Sequence, residues 1–203
     1  MEQNIQAAIA VGSHREALTL IAQTHSRALL RLCYGMVGDA AEAEELLQDT
    51  LTQAYQALPR YRDDGSVRSW LFGIARKVCA SHLRRRDRRA GLWGRFIAQP
   101  PPRPSLPLDE AERNEKRRRL MEALSTLKPQ HREAVLLRYQ VGLDGSEMAQ
   151  TLGVRPATAR KRLSLGLAEL RKTLAPLLAD AALESESTPD EDTTNGPNSL
   201  RAG

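Results

Sequence analysis

Through the first part of the chain, apolar residues recur every three or four positions, the period of a helix that buries one face. Leu18, Ile21, His25, Leu29, Leu32 and Met36 form one such stripe, and Ser13 with Glu16 has the spacing of a capping box at its start. Gly38-Asp39 ends that helix and caps a second, with Glu42 three residues past Asp39 and a stripe of Leu47, Leu51, Ala54 and Leu58. A third helix is predicted from Ser66, after the turn Asp63-Asp64-Gly65. Its Leu71, Ile74, Ala75, Val78 and Cys79 fall at i, i+3, i+4, i+7 and i+8, and it closes in the run Leu83-Arg84-Arg85-Arg86-Asp87-Arg88-Arg89.

The helical pattern breaks at Pro100, Pro101, Pro102, Pro104 and Pro107, a stretch that reads as an extended, semi-rigid linker. Pro129 then opens a helix through Ala134, Val135, Leu137 and Tyr139. Asp144 caps a short helix, with Glu147 reaching back from its third position. Met148, Ala149 and Leu152 point inward, Gly153 exits through a left-handed residue, and Val154 plugs the turn. The following helix, from Pro156 to Leu178, buries Ala159, Leu163, Leu167, Leu170 and Leu174. Short helix, glycine turn and longer helix form a helix-turn-helix pattern. From residue 184 the chain is acidic and rich in Ser, Thr and Pro, with too little apolar surface to offset the entropy of ordering. The predicted organisation is all-α: two small helical domains at 13–90 and 109–179, the second a helix-turn-helix, joined by a flexible Pro-rich linker at 91–108 and followed by a disordered acidic tail at 180–203.

Composition narrows the function. Of 203 residues only 4% are aromatic, against 41% in the hydrophobic set as a whole, which disfavours a β-sandwich or barrel. No stretch approaches the roughly 18–20 uninterrupted apolar residues of a membrane span, and no basic head leads into an apolar run at the N-terminus. A soluble, cytoplasmic protein without membrane insertion is expected. Cys33 and Cys79 are too few for a disulfide scaffold or a cysteine-cluster zinc site. His14, His25, His82 and His131 are scattered. With no Gly-rich phosphate loop, no metal-ligand spacing and no nucleophile–base arrangement, the expectation is a non-enzymatic protein without cofactor or metal.

The net charge of +5 is unevenly placed. The second helix gathers Glu42, Glu45, Gln48 and Asp49 on its outer face. This is either a solvated face that complements the helix dipole or a docking face for a basic partner. Trp70, Gly73, Lys77, Ser81 and Arg84 share a non-core face of the third helix, followed by Arg85. A ring for stacking beside a row of cations suits nucleic acid; the bland counterpart is that Trp70 caps the core and the arginines form a soluble helix end. The start of the last helix carries Arg155, Thr158, Arg160, Lys161, Arg162 and Ser164, with no acid until Glu169. Recognition helices present such residues to base edges and phosphates; the bland counterpart is an αα-hairpin with a basic side.

Three segments together carry a family resemblance: Glu42-Ala43-Glu44-Glu45-Leu46-Leu47-Gln48-Asp49-Thr50-Leu51, Ser69-Trp70-Leu71-Phe72-Gly73-Ile74-Ala75-Arg76, and Gly142-Leu143 through Arg162. In this order across a Pro-rich linker, from about Ala17 to Leu178, they resemble a bacterial RNA polymerase sigma factor of the extracytoplasmic-function (ECF) group. The resemblance implies that Glu42, Glu45, Gln48 and Asp49 dock on the clamp helices of the largest subunit of core RNA polymerase. It implies that Arg62, Ser66, Val67, Trp70, Lys77, Ser81, Arg84 and Arg85 capture the −10 promoter element as it opens, holding an extruded base. Arg155, Thr158, Arg160, Lys161, Arg162 and Ser164 would read the −35 element as duplex. The linker, with Arg95 and Arg103, would thread near the polymerase active site, and an anti-sigma protein is an expected partner. Val67, Lys77 and the pair Ser164-Leu165 depart from common family residues, which bears on promoter sequence rather than on the class of activity. The other reading of the second block is a stand-alone helix-turn-helix regulator, which would need neither the acidic helix nor the Trp70 face.

Overall fold

The computed structural model describes residues 1–62, 65–92 and 108–186, and every regular element among them is helical. The predicted linker conformation over 93–107, the acidic tail from 187, and Asp63 and Asp64 lie outside the described residues. No helix among the described residues is long and apolar enough to cross a membrane.

The chain opens with α1 (Glu2–Ala10), which precedes the predicted start of the first unit and extends that unit toward the N-terminus. Ile5 and Ala8 are its buried anchors, and it packs against α2 (His14–Val37). In α2 the predicted stripe is buried from Ile21 through His25, Leu29 and Leu32 to Met36, with Leu18 at its edge. The capping box at Ser13 does not form. The Ser13 N–H is tied back to the Ala8 carbonyl at 2.9 Å, and its ψ of 60° departs from the extended geometry that brings a capping hydroxyl onto the helix amides. In α3 (Ala40–Ala57), Asp39 caps as expected, its Oδ1 accepting the Glu42 N–H at 2.9 Å. The buried stripe is rotated from the prediction: Ala43, Leu46, Thr50 and Ala54 face inward, while Leu47 and Leu51 lie at the margin. Thr50 can be buried because its hydroxyl donates to the Leu46 carbonyl at 2.6 Å. A 3₁₀ turn, Leu58–Arg60, follows.

Helix α4 (Val67–Leu92) fills the groove made by α2 and α3. Leu71, Ala75, Val78 and Cys79 are buried as predicted, and Phe72 and Val67 widen that face. The two thiols meet there, Sγ to Sγ at 3.7 Å, and the hydrogen bond from Cys79 to Cys33, reinforced by burial, pushes the Cys79 thiol well above its ordinary range.

The second unit comprises α5 (Leu108–Thr126), α6 (Pro129–Leu136) continuing into a π turn (Leu137–Val141), α7 (Gly145–Leu152) and α8 (Pro156–Glu186). The π turn leaves Tyr139, expected on the α6 helix, 65% exposed. The helix-turn-helix is α7–α8. Asp144 Oδ1 accepts the N–H groups of Ser146 and Glu147 at 2.7 and 2.8 Å, and Glu147 Oε2 accepts the Asp144 N–H at 2.9 Å. Gly153, at φ 64°, supplies the left-handed exit that a side chain would resist. Residues 180–186, expected in the tail, belong to α8. At the α6–α8 crossing, a Cβ on Gly166 would stand 2.8 Å from Val135 Cγ2 and 3.0 Å from the His131 carbonyl, so glycine sets how closely these helices approach.

The two units share one apolar cluster. Helix α7 packs on α4, while α6 and the π turn pack on α2. Arg132 Nε donates to the Gly35 carbonyl at 2.9 Å and Thr151 Oγ1 to the Ser69 carbonyl at 3.2 Å. Arg68 donates to the Val141 carbonyl at 2.5 Å and meets Glu147 at 3.5 Å, and Arg76 pairs with Glu133 at 3.4 Å.

Replacing Gly166 by Ala is expected to destabilise the protein by about 1–3 kcal/mol through overpacking, measured by urea denaturation. A gain in stability, the usual sign for Gly→Ala inside a helix, would mean that α6 and α8 have room to part.

Candidate nucleic-acid interface

On α3, Glu45, Gln48 and Asp49 are exposed, together with Glu44, which sequence reasoning did not single out. Glu42 is placed differently. Its Oε2 lies 3.1 Å from His82 Nε2 and 3.3 Å from Arg86 Nη1, so α4 engages it from within the chain. The open acidic face therefore consists of Glu44, Glu45, Gln48 and Asp49, with Glu42 on its inner margin.

At the start of α4 a cavity of about 420 Å³ opens beside Trp70. Tyr61, Arg62, Ser66, Trp70 and Lys77 line it from the first unit. The Trp70 and Tyr61 rings meet edge to face, centroids 5.1 Å apart and planes at 73°. The Tyr61 hydroxyl donates to the Gly65 carbonyl at 2.9 Å, tying the ring to the loop, and Ser66 Oγ accepts the Ser69 N–H at 3.0 Å, starting the helix. Ser81, half-buried, and Arg84 and Arg85, exposed, continue along the helix. Val67 does not belong with them: it is 0% exposed and packs in the core beneath the cavity, because the first turn of α4 directs it toward the interior. Tyr61 was overlooked because a residue in a turn leaves no periodic signal. The opposite wall comes from the second unit, where Gln150, Thr151 and Gly153 line the same cavity.

On α8, Arg155, Thr158, Arg160, Lys161 and Ser164 are exposed and Arg162 is half-buried. The electrostatics of the two units converge on Glu133, which is 7% exposed. Burial pushes its carboxyl above the usual range, opposed by Arg76, whose guanidinium is in contact, and by Arg162 of α8 and Arg84 of α4. No group of His, Cys, Asp and Glu among the described residues could hold a metal ion.

An exposed basic helix following the turn at Gly153, beside a second cationic surface that carries Trp70, is the arrangement of a helical DNA-binding protein. The Sigma-70 region 2 model matches residues 21–89 and the Sigma-70 region 4 model residues 117–170. The ECF RNA polymerase sigma factor SigL of Mycobacterium tuberculosis is 32% identical over 154 residues, spanning 75% of this chain and 86% of that protein. The RNA polymerase sigma-E factor of Streptomyces antibioticus is 33% identical over 174 residues, 82% of this chain and 89% of the relative. Among solved structures, the sigma factor RpoE in complex with the anti-sigma factor NepR from Bartonella quintana is similar with a TM-score of 0.61 at 25% identity, covering 77% of this chain and 96% of that one. CnrH in complex with the cytosolic domain of CnrY has the same fold, with a TM-score of 0.62 at 22% identity over 92% of this chain and 99% of that chain. The chain belongs to the ECF sigma factors of RNA polymerase, the subunits that give the polymerase its promoter specificity.

Arg68→Ala removes both the bond to Val141 and the pair with Glu147, and is expected to enlarge the radius of gyration in small-angle scattering. An unchanged radius would mean that apolar packing alone holds the two units together.

Proposed function

We propose a division of labour by charge within this sigma factor. The exposed Glu45, Gln48 and Asp49, flanked by Glu44, dock on the clamp helices of the largest subunit of core RNA polymerase, with Glu42 shaping the face from behind. The cavity beside Trp70 holds an extruded base of the −10 element, with Arg62, Ser66 and Lys77 at its rim and Ser81, Arg84 and Arg85 guiding the strand; Val67 supports the loop from the core. Arg155, Thr158, Arg160, Lys161, Arg162 and Ser164 bind the −35 element in the major groove. The observation that carries this reading is the cavity itself: an aromatic ring, hydroxyls and cations gathered at one helix start are what a flipped base and its phosphates require.

Catalysis belongs to the core enzyme, and this chain contributes binding free energy without chemistry of its own. Its place of action is the cytoplasm, where polymerase and template are. Because α7 forms one wall of the cavity, a strand enters fully only when the second unit withdraws; polymerase docking and −35 binding favour that withdrawal. An anti-sigma protein is the regulator that fits this arrangement, since the relatives RpoE and CnrH are each found in complex with a second protein, an anti-sigma factor in the case of RpoE.

Addition of the protein to bacterial core polymerase should produce promoter-specific transcripts, and an unchanged transcript pattern would overturn the reading. The double change Glu45→Lys and Asp49→Lys should abolish polymerase association while circular dichroism stays native; retained association places the docking face elsewhere. Arg160→Ala with Lys161→Ala should weaken dependence on the −35 element more than on the −10 element. It should also lower the salt slope of promoter binding by about one for each phosphate that is no longer neutralised.

A further inference from the structure

The first turn of α4 carries Ser66, Ser69 and Trp70, and the backbone N–H groups of that turn need acceptors from outside the helix. Ser66 Oγ serves the Ser69 N–H locally. The Arg68 N–H is served from far along the chain: it donates to Glu2 Oε1 at 3.2 Å, across 66 residues of sequence. Glu2 stands in the first turn of α1, which is itself anchored by Ile5, fully buried. The second carboxylate oxygen of Glu2 lies 3.9 Å from Nε2 of His25, a buried nitrogen with no hydrogen-bond partner among the described residues. The His25 ring in turn meets Phe72 of α4 edge to face, with centroids 6.2 Å apart. One carboxylate thus spans α1, α2 and α4 where the rim of the cavity begins.

We propose that Glu2 is a positioning residue for −10 strand capture: by holding the Arg68 amide it fixes the first turn of α4, and with it the placement of Ser66, Ser69 and Trp70 around the extruded base. The proposal rests on the functional reading above. Nothing places Glu2 in contact with DNA; it acts through the turn it caps. The Arg68 side chain reaches the opposite way, to Val141 and Glu147 of the second unit. A change at Glu2 loosens the near wall without removing any group that touches a base, so its effect falls on capture geometry.

The test uses holoenzyme assembled from the full chain and core polymerase, on a duplex promoter whose start site the wild-type holoenzyme defines, with 2-aminopurine in the −10 element. Glu2→Ala is expected to slow strand opening about fivefold, the scale of a lost helix cap, and to alter the ranking of −10 base variants. Affinity for core polymerase and the loss on scrambling the −35 element stay at wild-type values. Glu2→Gln keeps an oxygen for the Arg68 N–H and recovers most of the rate. Wild-type opening and wild-type −10 ranking in Glu2→Ala overturn the proposal. So does a uniform fall in opening, polymerase affinity and −35 dependence that tracks loss of folded protein in a thermal melt, because Glu2 is then only a structural prop. A wild-type holoenzyme that opens no promoter overturns the functional reading and this inference with it, whereas an active wild type isolates the contribution of Glu2.

Discussion

Helix α4 has to satisfy three environments at once, and the rest of the molecule is arranged around that constraint. One side, Leu71, Phe72, Ala75, Val78 and Cys79, is sealed by α2 and α3. A second side, running through Ser69 and Arg76, seats α7 and meets Glu133. The remaining surface leaves Lys77, Arg84 and Arg85 in water. A helix spared one of these duties could turn about its axis or slide along its groove. Here the apolar side fixes rotation and Glu2 with Ser66 fixes where the helix starts. The cationic surface consequently has a defined direction relative to the acidic face of α3.

Glu133 shows how the second unit is held against this frame. A carboxylate removed from water loses several kcal/mol of solvation, and neighbouring cations must restore it. Arg76 and Arg84 come from α4 and Arg162 from α8, so the neutralising charge is drawn from both candidate DNA-binding surfaces. Arg84 and Arg162, whose proposed partners are DNA phosphates, thus also act on this buried carboxylate. Exposed charges such as Glu45 and Asp49 are screened by salt within about 10 Å at 0.1 M, whereas the pair at Glu133 is shielded from that screening by the protein around it.

Much of this was legible in the residues. The helical period gave α2, α4 and α8, Asp144 with Glu147 announced the start of α7, and Gly153 announced its end. The chain's membership in its family was readable from three short segments. The failures share a cause: each depends on a neighbour that sequence spacing does not contain. Helix α1 has only Ile5 and Ala8 as buried anchors and becomes recognisable once α2 is beside it. The stripe on α3 is rotated because it packs between two helices and buries Thr50, a polar residue that satisfies itself. Val67 reads as part of the −10 surface until the direction of the first turn of α4 is known. Glu42 reads as a free acid until His82 and Arg86 arrive from α4. The packing of one unit on the other, through Arg68, Arg132 and Glu133, had no trace in the periodicity at all.

The π turn at Leu137–Val141 carries a consequence of its own. Such a turn holds one residue more than the ordinary α-helical path, and here the surplus brings the Val141 carbonyl to the guanidinium of Arg68. Excising a single residue from that stretch would wind it back into α geometry and redirect the carbonyls at its end. The oxygen would face away from its arginine with every side chain in the joint unaltered. The association of the two halves is thus written partly in chain length, and an insertion or deletion there could loosen it more thoroughly than an exchange of amino acids.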